Sequence, residues 1–295
     1  MRKMMLFVLI LCLLPLAGLA DTDAGILFAG WEDDIGIALS TALTSLTGIY
    51  SESSGEGTVA LNDAAGSDWA ALVTQQALLE GLQGYTDCEV RTDLQLLLPL
   101  AKDELFLVVS GETAETCGLT DLPSLQAFLT EHPFELTLMR SFEASAADYA
   151  AVQVFNALDL DTDTFSDPED CAENLVDGSY LMVADTAAAQ VLSEEGAVVL
   201  GPLSEVRSSV FPDLPAAGEC SLPVCLGNVW ALYLAAEGDT EPWLEQLLPA
   251  VEDPAFKEIL EANGLLPVAP EDFPLAELLN DYVTYMTEEG LFFYD

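Results

Sequence analysis

The sequence is poor in basic residues and in histidine. It has 7 lysines and arginines against 51 aspartates and glutamates, and 1 histidine in 295 residues, which gives a formal net charge of −44. Nucleic acids are bound largely through lysine and arginine contacts to phosphates, so the composition excludes a nucleic-acid partner and disfavours an anionic membrane surface. Because 51% of the residues are hydrophobic, we expect the chain to fold around a sizeable core rather than stay disordered.

Long apolar runs are absent after the N-terminal segment. Arg2 and Lys3 precede an apolar run that reaches Leu14, and Ala20 ends a stretch of small residues. The run is shorter than the ~20 residues that a membrane-spanning helix needs. The pattern is typical of a secretory signal peptide over residues 1–20, with an uncleaved anchor as the alternative. We therefore expect an extracytoplasmic protein, either periplasmic or secreted.

Cysteines are few, and an odd number of them follows the signal segment. Cys220 and Cys225 bracket a short loop-like stretch, while Cys88 and Cys117 flank one apolar segment, so we predict these two disulfides for an oxidising compartment. A zinc site is the alternative, but the Cys-x-x-Cys spacing is missing and His132 lies in a Glu-His-Pro turn. We predict no metal and no cofactor.

Strand and helix signals alternate along the chain. Gly25 to Ala29 has the pattern of a short buried strand, and apolar residues at helical spacing from Ile35 to Leu46 predict a helix that stops at Gly48. Further strands are predicted at residues 69–73, 94–98, 105–110, 136–139, 180–184, 198–200 and 230–235. This order predicts an α/β protein with parallel sheets and covering helices. At this length we expect two lobes.

Three segments in the second half carry a family resemblance. Residues 207–219 contain Arg-Ser and then Val-Phe-Pro-Asp-Leu-Pro-Ala-Ala-Gly-Glu, residues 230–240 read Trp-Ala-Leu-Tyr-Leu-Ala-Ala-Glu-Gly-Asp-Thr, and residues 253–273 contain Asp-Pro, Asn-Gly, Pro-Val and Pro-Glu-Asp-Phe. In this order they resemble the substrate-binding proteins of tripartite tricarboxylate transporters, the Bug family. Upstream, residues 28–34 resemble the first ligand loop of that family, and residues 67–70 resemble its Asp-Gly-Tyr-Thr step.

The resemblance implies a periplasmic-binding-protein type II-like fold with two α/β lobes around a ligand cleft. Residues 21–122 and 231–295 would form lobe 1, and residues 123–230 would form lobe 2. It further implies a monomeric receptor without catalytic residues. Such a receptor captures a small organic solute, a carboxylate or an amino-acid-like compound, and delivers it to the membrane permease subunits of a tripartite transporter.

The resemblance also assigns candidate ligand contacts. Asp34 stands at the aspartate of the family's first loop, whereas Glu32 and Asp33 add carboxylates that would repel a tricarboxylate and favour an amine or amide. These acids equally suit the first turn of a solvent-facing helix. The full set of ligand-binding candidates is Ala29, Gly30, Trp31, Glu32, Asp33, Asp34, Asp68, Trp69, Thr74, Arg140, Ser141, Phe142, Asp185 and Trp230.

Arg140 has two interpretations. It is one of the few cations of the chain and could form a forked pair with a solute carboxylate across a closing cleft. The alternative is an ion pair with one of the many acids of the chain.

Three other hypotheses remain open from the sequence. The aspartates of the stretch 159–170 occupy positions 1, 3, 5, 9 and 12 of a calcium-loop spacing, although the family register places a strand there. A hydrolase could pair two carboxylates across the cleft, for example Asp33 and Asp185. A ligand-sensing or orphan binding protein of the same fold would have no transport role, and the fold alone does not decide between these functions.

Overall fold

The computed structural model describes residues 24–29, 34–133, 135–141, 145–165, 168–175, 180–225 and 227–291. The predicted signal peptide lies outside the described residues, and so do five of the candidate contacts: Gly30, Trp31, Glu32, Asp33 and Phe142. Of Asp34 and Ser141 only the backbone is described. No helix in the described part of the chain is long and apolar enough to cross a membrane.

Strands and helices alternate as predicted. The strands are β1 (Ile26–Ala29), β2 (Ser51–Gly55), β3 (Ala70–Thr74), β4 (Leu94–Asp103), β5 (Leu105–Val109), β6 (Thr137–Ser141), β7 (Asp161–Phe165), β8 (Tyr180–Asp185), β9 (Val198–Pro202), β10 (Asn228–Ala235) and β11 (Leu266–Pro267). The helices are α1 (Asp34–Thr47), α2 (Gly57–Ala65), α3 (Gln75–Glu80), α4 (Gly111–Cys117), α5 (Leu122–Glu131), α6 (Ala146–Leu158), α7 (Pro168–Asn174), α8 (Thr186–Glu194), α9 (Glu241–Glu252), α10 (Pro254–Ala262) and α11 (Leu275–Glu289).

The strands form two separate sheets. The first has the order β11-β4-β10-β3-β1-β2, and the second has the order β7-β6-β8-β5-β9. Within the first sheet β1 is parallel to β2 and β3, and within the second β6 is parallel to β7 and β8. Strands β5 and β10, the first strands after the chain passes from one sheet to the other, run antiparallel to their neighbours. Both sheets are therefore mixed rather than purely parallel.

The chain changes sheet earlier than the predicted lobe boundary. Strand β4 ends in the first sheet at Asp103, and β5 starts in the second sheet at Leu105. Leu119 and Leu122 also pack in the core of the second sheet. Residues 105–122, which we assigned to lobe 1, therefore lie with the second sheet. A short apolar strand does not reveal from sequence which sheet it joins, and this accounts for the difference.

Each sheet is covered by helices on both faces. On the first sheet, α1 and α10 bury Leu43 and Phe256 on one face, and α2 and α11 bury Leu61 and Tyr282 on the other. The second sheet is covered in the same way by α5 and α6 on one face and by α7 and α8 on the other. Apolar strands covered on both faces are typical of α/β proteins. The predicted α/β class with two sheets is confirmed.

The stretch proposed as a calcium loop contains the strand implied by the family register. Residues Asp161–Phe165 form β7, which pairs in register with β6, and an extended strand cannot wrap around a cation as a calcium loop does. The described residues contain no group of three His, Cys, Asp or Glu side chains that could hold a metal ion. Exposed carboxylates on an edge strand such as β7 discourage pairing with a second chain.

Neither predicted disulfide is present, because Cys88, Cys117, Cys220 and Cys225 are free thiols. Cys88 packs against the core of the first sheet and Cys117 against that of the second, so this pair belongs to two different cores. Burial raises the pKa of Cys225 to about 12, and its Sγ donates to Gln153 Oε1 at 3.7 Å. Sequence proximity on either side of a loop or strand was an insufficient guide to pairing.

Candidate functional site

Three of the candidate contacts lie at one edge of the first sheet. Ala29 ends β1, Thr74 ends the parallel neighbour β3, and Trp230 of β10 pairs directly with Thr74. Ligands of open α/β sheets bind beyond the carboxyl ends of the parallel strands. The structure therefore brings these three residues together at the edge where such a site is expected. Helix α1 also begins at this edge, at Asp34.

The Trp230 side chain lies beneath this edge and is not exposed to solvent. Its side chain is buried and packs in the core between β10 and α1. A methyl group added at Gly36 would lie 3.1 Å from the carbonyl oxygen of Ala29 and 3.3 Å from the Trp230 ring. Glycine at position 36 thus lets the first turn of α1 approach the end of β1 closely. Trp230 supports that turn from the core side.

Asp68 and Trp69 lie at the opposite edge of the first sheet. They precede β3, whose first residue, Ala70, pairs with the first residue of β1. The Trp69 ring covers Gly25 and meets the ring of Tyr50 edge-on at 6.0 Å. A strand advances about 3.3 Å per residue, which puts Trp69 roughly 16 Å from Thr74. The structure does not bring Asp68 and Trp69 to the edge that holds Ala29 and Thr74.

The second sheet presents a corresponding edge. Ser141 ends β6 and Asp185 ends β8, its parallel neighbour. Asp185 is exposed, and its Oδ1 accepts the backbone N–H of Ala188 at 2.8 Å as the N-cap of α8. Helix α6 begins beyond β6, with Ser145 as its cap. Asp185 therefore has a structural role in α8 and presents a carboxylate at this edge.

Arg140 forms ion pairs with two acids of the chain, the second of its two interpretations. Its Nε and Nη2 donate to the two carboxylate oxygens of Asp148 at 3.0 and 2.9 Å, and its Nη1 donates to Glu289 Oε2 at 2.5 Å. The Tyr285 hydroxyl donates to the same Asp148 carboxylate. We call these four residues the Arg140 junction. It links strand β6 and helix α6 of the second sheet to helix α11, which covers the first.

The Arg140 junction is largely withdrawn from solvent. The Asp148 side chain is 0% exposed and that of Arg140 is 11% exposed. Burial by itself lowers the pKa of Arg140, but the hydrogen bonds and charges of Asp148 and Glu289 outweigh it and leave that pKa raised. Burial and the charge of Asp148 likewise raise the pKa of Tyr285, which keeps its proton and acts as a donor. The guanidinium is thus fixed as a cation between two carboxylates.

A small cavity adjoins the Arg140 junction on the second-sheet side. It has a volume of about 30 Å³ and is lined by Met139, Arg140, Ser145, Ala147, Asp148, Ala151, Cys171, Met182 and Val183. Such a volume accepts one or two water molecules, whereas sites for organic ligands measure roughly 300 Å³ or more. This cavity is too small for an organic solute.

Buried acids also lie where the chain first crosses between the sheets. Asp103 and Glu104 are both buried; Asp103 Oδ1 accepts the backbone N–H of Thr186 at 3.2 Å, and Glu104 Oε2 accepts the Ser208 hydroxyl at 2.5 Å. Burial raises the pKa of Asp103 to about 6; hydrogen bonds from Thr186 oppose this, and the nearby charges of Asp185 and Glu104 add to it. We call Asp103, Glu104, Asp185, Thr186 and Ser208 the Asp103 junction.

The second crossing is in direct contact with the first. Gly227 has a φ of +90°, and a methyl group there would lie 2.2 Å from the carbonyl oxygen of Asp103. Glycine is therefore required at position 227 by both its conformation and the close approach of the two chain segments. The two connections between the sheets thus pack against each other at Asp103.

Several residues of the Arg140 and Asp103 junctions were not predicted from the sequence. Asp103, Asp148, Tyr285 and Glu289 carry no motif, and their partners lie far away in the chain. Only the start of α6 had a readable signal: Ser145 and Asp148 have the spacing of a helix cap, and the Ser145 hydroxyl accepts the N–H of Asp148 at 3.0 Å. No sequence signal indicated the ion pair between Arg140 and Glu289, which lies 149 residues further along the chain.

The fold is found in solved structures of periplasmic binding proteins, although no protein-family model and no curated protein sequence matches the chain. MatC from Rhodopseudomonas palustris, solved with bound malate, is 15% identical with a TM-score of 0.62 and aligns over 91% of this chain and 99% of its own. A TctC solute-binding protein from Polaromonas, solved without ligand, is 13% identical with a TM-score of 0.68 over 91% and 97%. BugD, a periplasmic binding protein, is 15% identical with a TM-score of 0.60 over 91% and 98%.

At these identities the likeness establishes the fold. The periplasmic-binding-protein architecture that the sequence resemblance implied is confirmed, over about nine tenths of the chain.

Proposed function

We propose that this chain is an extracytoplasmic receptor that captures a small organic solute between its two lobes and delivers it to the permease of a tripartite transporter. The observation that carries the proposal is the pair of sheet edges. Ala29 and Thr74 end parallel strands of one sheet, and Ser141 and Asp185 end parallel strands of the other. A helix begins at the next residue after Thr74 and Asp185, and five residues after Ala29 and Ser141. The three solved structures compared above are of binding proteins, and one of them holds malate.

The solute in this proposal is a carboxylate or an amino-acid-like compound. A carboxylate would depend on backbone N–H groups at helix starts, which favour anions. Three of the five N–H donors of Arg140 bond Asp148 and Glu289, and its charge is balanced there, so the proposal assigns the solute carboxylate to backbone amides rather than to Arg140. Asp185 would instead attract an ammonium group. Binding through helix N–H groups therefore predicts a carboxylate solute, whereas binding through Asp185 predicts a solute with an ammonium group.

The proposal includes no catalytic step. Asp185, one member of the carboxylate pair considered for a hydrolase, caps helix α8. The three solved proteins compared above are binding proteins rather than enzymes. Both points favour a receptor over a hydrolase.

A thermal-shift screen of the purified protein tests solute capture. The panel consists of malate and longer dicarboxylates, citrate, zwitterionic and cationic amino acids, and neutral amides. Selective binding to the folded state must raise the midpoint of unfolding, by an amount that grows with solute concentration. A shift limited to one chemical class is the expected result. A panel without any shift would contradict the proposal.

Delivery to a permease is tested separately in cells. Deleting the gene should reduce uptake of the radiolabelled panel solute that gives the largest thermal shift, and restoring the gene should return it. Unchanged uptake with intact binding would leave a receptor without transport, which is the ligand-sensing alternative.

A further inference from the structure

One face of helix α11 contacts helix α6 and strand β6 of the second sheet. Tyr282, Tyr285 and Glu289 follow one another at helical spacing and share this face. The ring of Tyr149 in α6 meets the rings of Tyr282 and Tyr285 edge-on, with centroids 5.0 and 5.3 Å apart. Glu289 and Tyr285 complete the contact through their bonds to Arg140 and Asp148. The contact thus combines aromatic packing with the Arg140 junction.

This contact fixes the end of β6 relative to the start of α6. Arg140 is the next-to-last residue of β6, and its forked pair holds Asp148 in the first turn of α6. The same turn is capped by Ser145. A guanidinium buried between two carboxylates keeps its geometry only while its donors are satisfied, because an unpaired buried charge is costly. Removing Glu289 would release one of the three bonds that orient Arg140.

We propose that Tyr285 and Glu289 are positioning residues for the solute site. From a helix of one lobe, they hold the strand end and helix start that the other lobe presents to the solute. The inference rests on the proposed function, because it takes the edge beyond β6 as one side of the solute site. A site held in its binding geometry before the solute arrives binds more tightly, since less ordering is left to occur on binding.

The first test is whether Glu289 orients Arg140. Only three arginines follow the signal segment, Arg91, Arg140 and Arg207, so their Nε–H groups give a simple nitrogen–proton spectrum. We expect E289Q to shift the Arg140 signal and to speed the exchange of its proton with solvent. E288Q is the matched control, because Glu288 is the exposed neighbour on the same helix turn. R140K assigns the signal.

The second test measures the start of α6 without any solute. We expect E289Q and Y285F to speed amide hydrogen exchange at residues 147–149 about two- to fivefold, the effect of losing a partly exposed ion pair or one hydrogen bond. E288Q should leave these rates unchanged. Equal rates in E289Q and E288Q would overturn the proposal, and this comparison does not depend on which solute binds.

The third test adds malate as the probe. If the wild-type protein binds malate, E289Q and Y285F should weaken that binding about two- to fivefold and E288Q should not. Faster exchange with unchanged malate affinity would overturn the positioning role and leave the contact purely structural. If the wild-type protein does not bind malate, malate is not its solute, and the exchange comparison still decides for or against positioning.

Discussion

The two junctions that connect the sheets bury acids in opposite ways. In the Arg140 junction, a guanidinium satisfies Asp148 and Glu289 at 2.5 to 3.0 Å. In the Asp103 junction, the bonds to Asp103 and Glu104 come from a backbone N–H and the hydroxyls of Ser204 and Ser208. The charges that act on Asp103 are those of other acids. With 51 acids and 7 lysines and arginines, most acids of this chain have no cation available. Asp148 is thus paired with a scarce arginine, whereas Asp103 is buried without a cation and takes up a proton as the pH falls through about 6.

Removing the acid from the Arg140 junction should have the largest effect. We expect D148A to lower the free energy of unfolding by about 3–5 kcal/mol, because it leaves a buried guanidinium with a single partially exposed carboxylate. Urea titration measures this. The control is E258A, an exposed acid of helix α10, which should change stability by no more than about 0.5 kcal/mol. A loss below about 1 kcal/mol for D148A would mean that the two junctions do not differ as described.

Neutralising the acid of the Asp103 junction should act in the opposite direction. The pKa of Asp103 is raised from 3.8 to about 6, so the folded protein holds this proton more tightly than the unfolded chain. The resulting stability is complete below about pH 4 and is lost as the pH rises through 6. We expect D103N, which keeps an oxygen acceptor for Thr186, to raise the free energy of unfolding by about 1–3 kcal/mol at pH 8 and to have little effect at pH 4.

Urea titrations of D103N and the wild type across this pH range check the sign. The exposed acid variant D68N controls for the loss of one negative charge. A stabilisation by D103N that is the same at pH 4 and pH 8, or a destabilisation at pH 8, would contradict the account of this junction.

Salt should separate the surface charges from the Arg140 junction, with the smallest expected effect. Raising sodium chloride from 0.1 to 1 M shortens the screening length from about 10 Å to about 3 Å. We expect the wild type to gain about 1 kcal/mol, because repulsion among its exposed acids is screened. The cost of D148A should persist at 1 M salt, since buried pairs are screened weakly. A cost that disappears in salt would place the Arg140–Asp148 pair among ordinary surface pairs.

The sequence predicted those features that follow from local patterns. Apolar runs marked eight of the eleven strands, and the apolar spacing from Ile35 to Leu46 marked helix α1. The polar strand β2 has no such run and was not predicted. The family resemblance supplied the fold. The sheet joined by residues 105–109 was not predictable, since an apolar strand fits either sheet. The resemblance also gave Asp68 and Trp69 a place in the chain without indicating at which edge of the sheet they lie.

The partners of Arg140 illustrate the remaining gap. Both the solute pair and the internal ion pair were compatible with its sequence position, because almost any acid of so acidic a chain could have been the partner. Choosing Asp148 and Glu289 requires knowing that α11 returns to lie against α6. Contacts that depend on how distant helices pack are set by tertiary structure, and no local pattern encodes them.

Calorimetric titration of the wild type, T74V and D68N with the panel solute that gives the largest thermal shift tests whether the solute binds at the Thr74 edge of the first sheet. Thr74 lies at the sheet edge beside Ala29 and Trp230, and Asp68 at the opposite edge of the same sheet. We expect saturable one-to-one binding by the wild type and D68N, and binding about two- to tenfold weaker in T74V because its hydroxyl is lost. Absence of saturable binding, or equal affinity of T74V and D68N, would contradict a solute site at this edge.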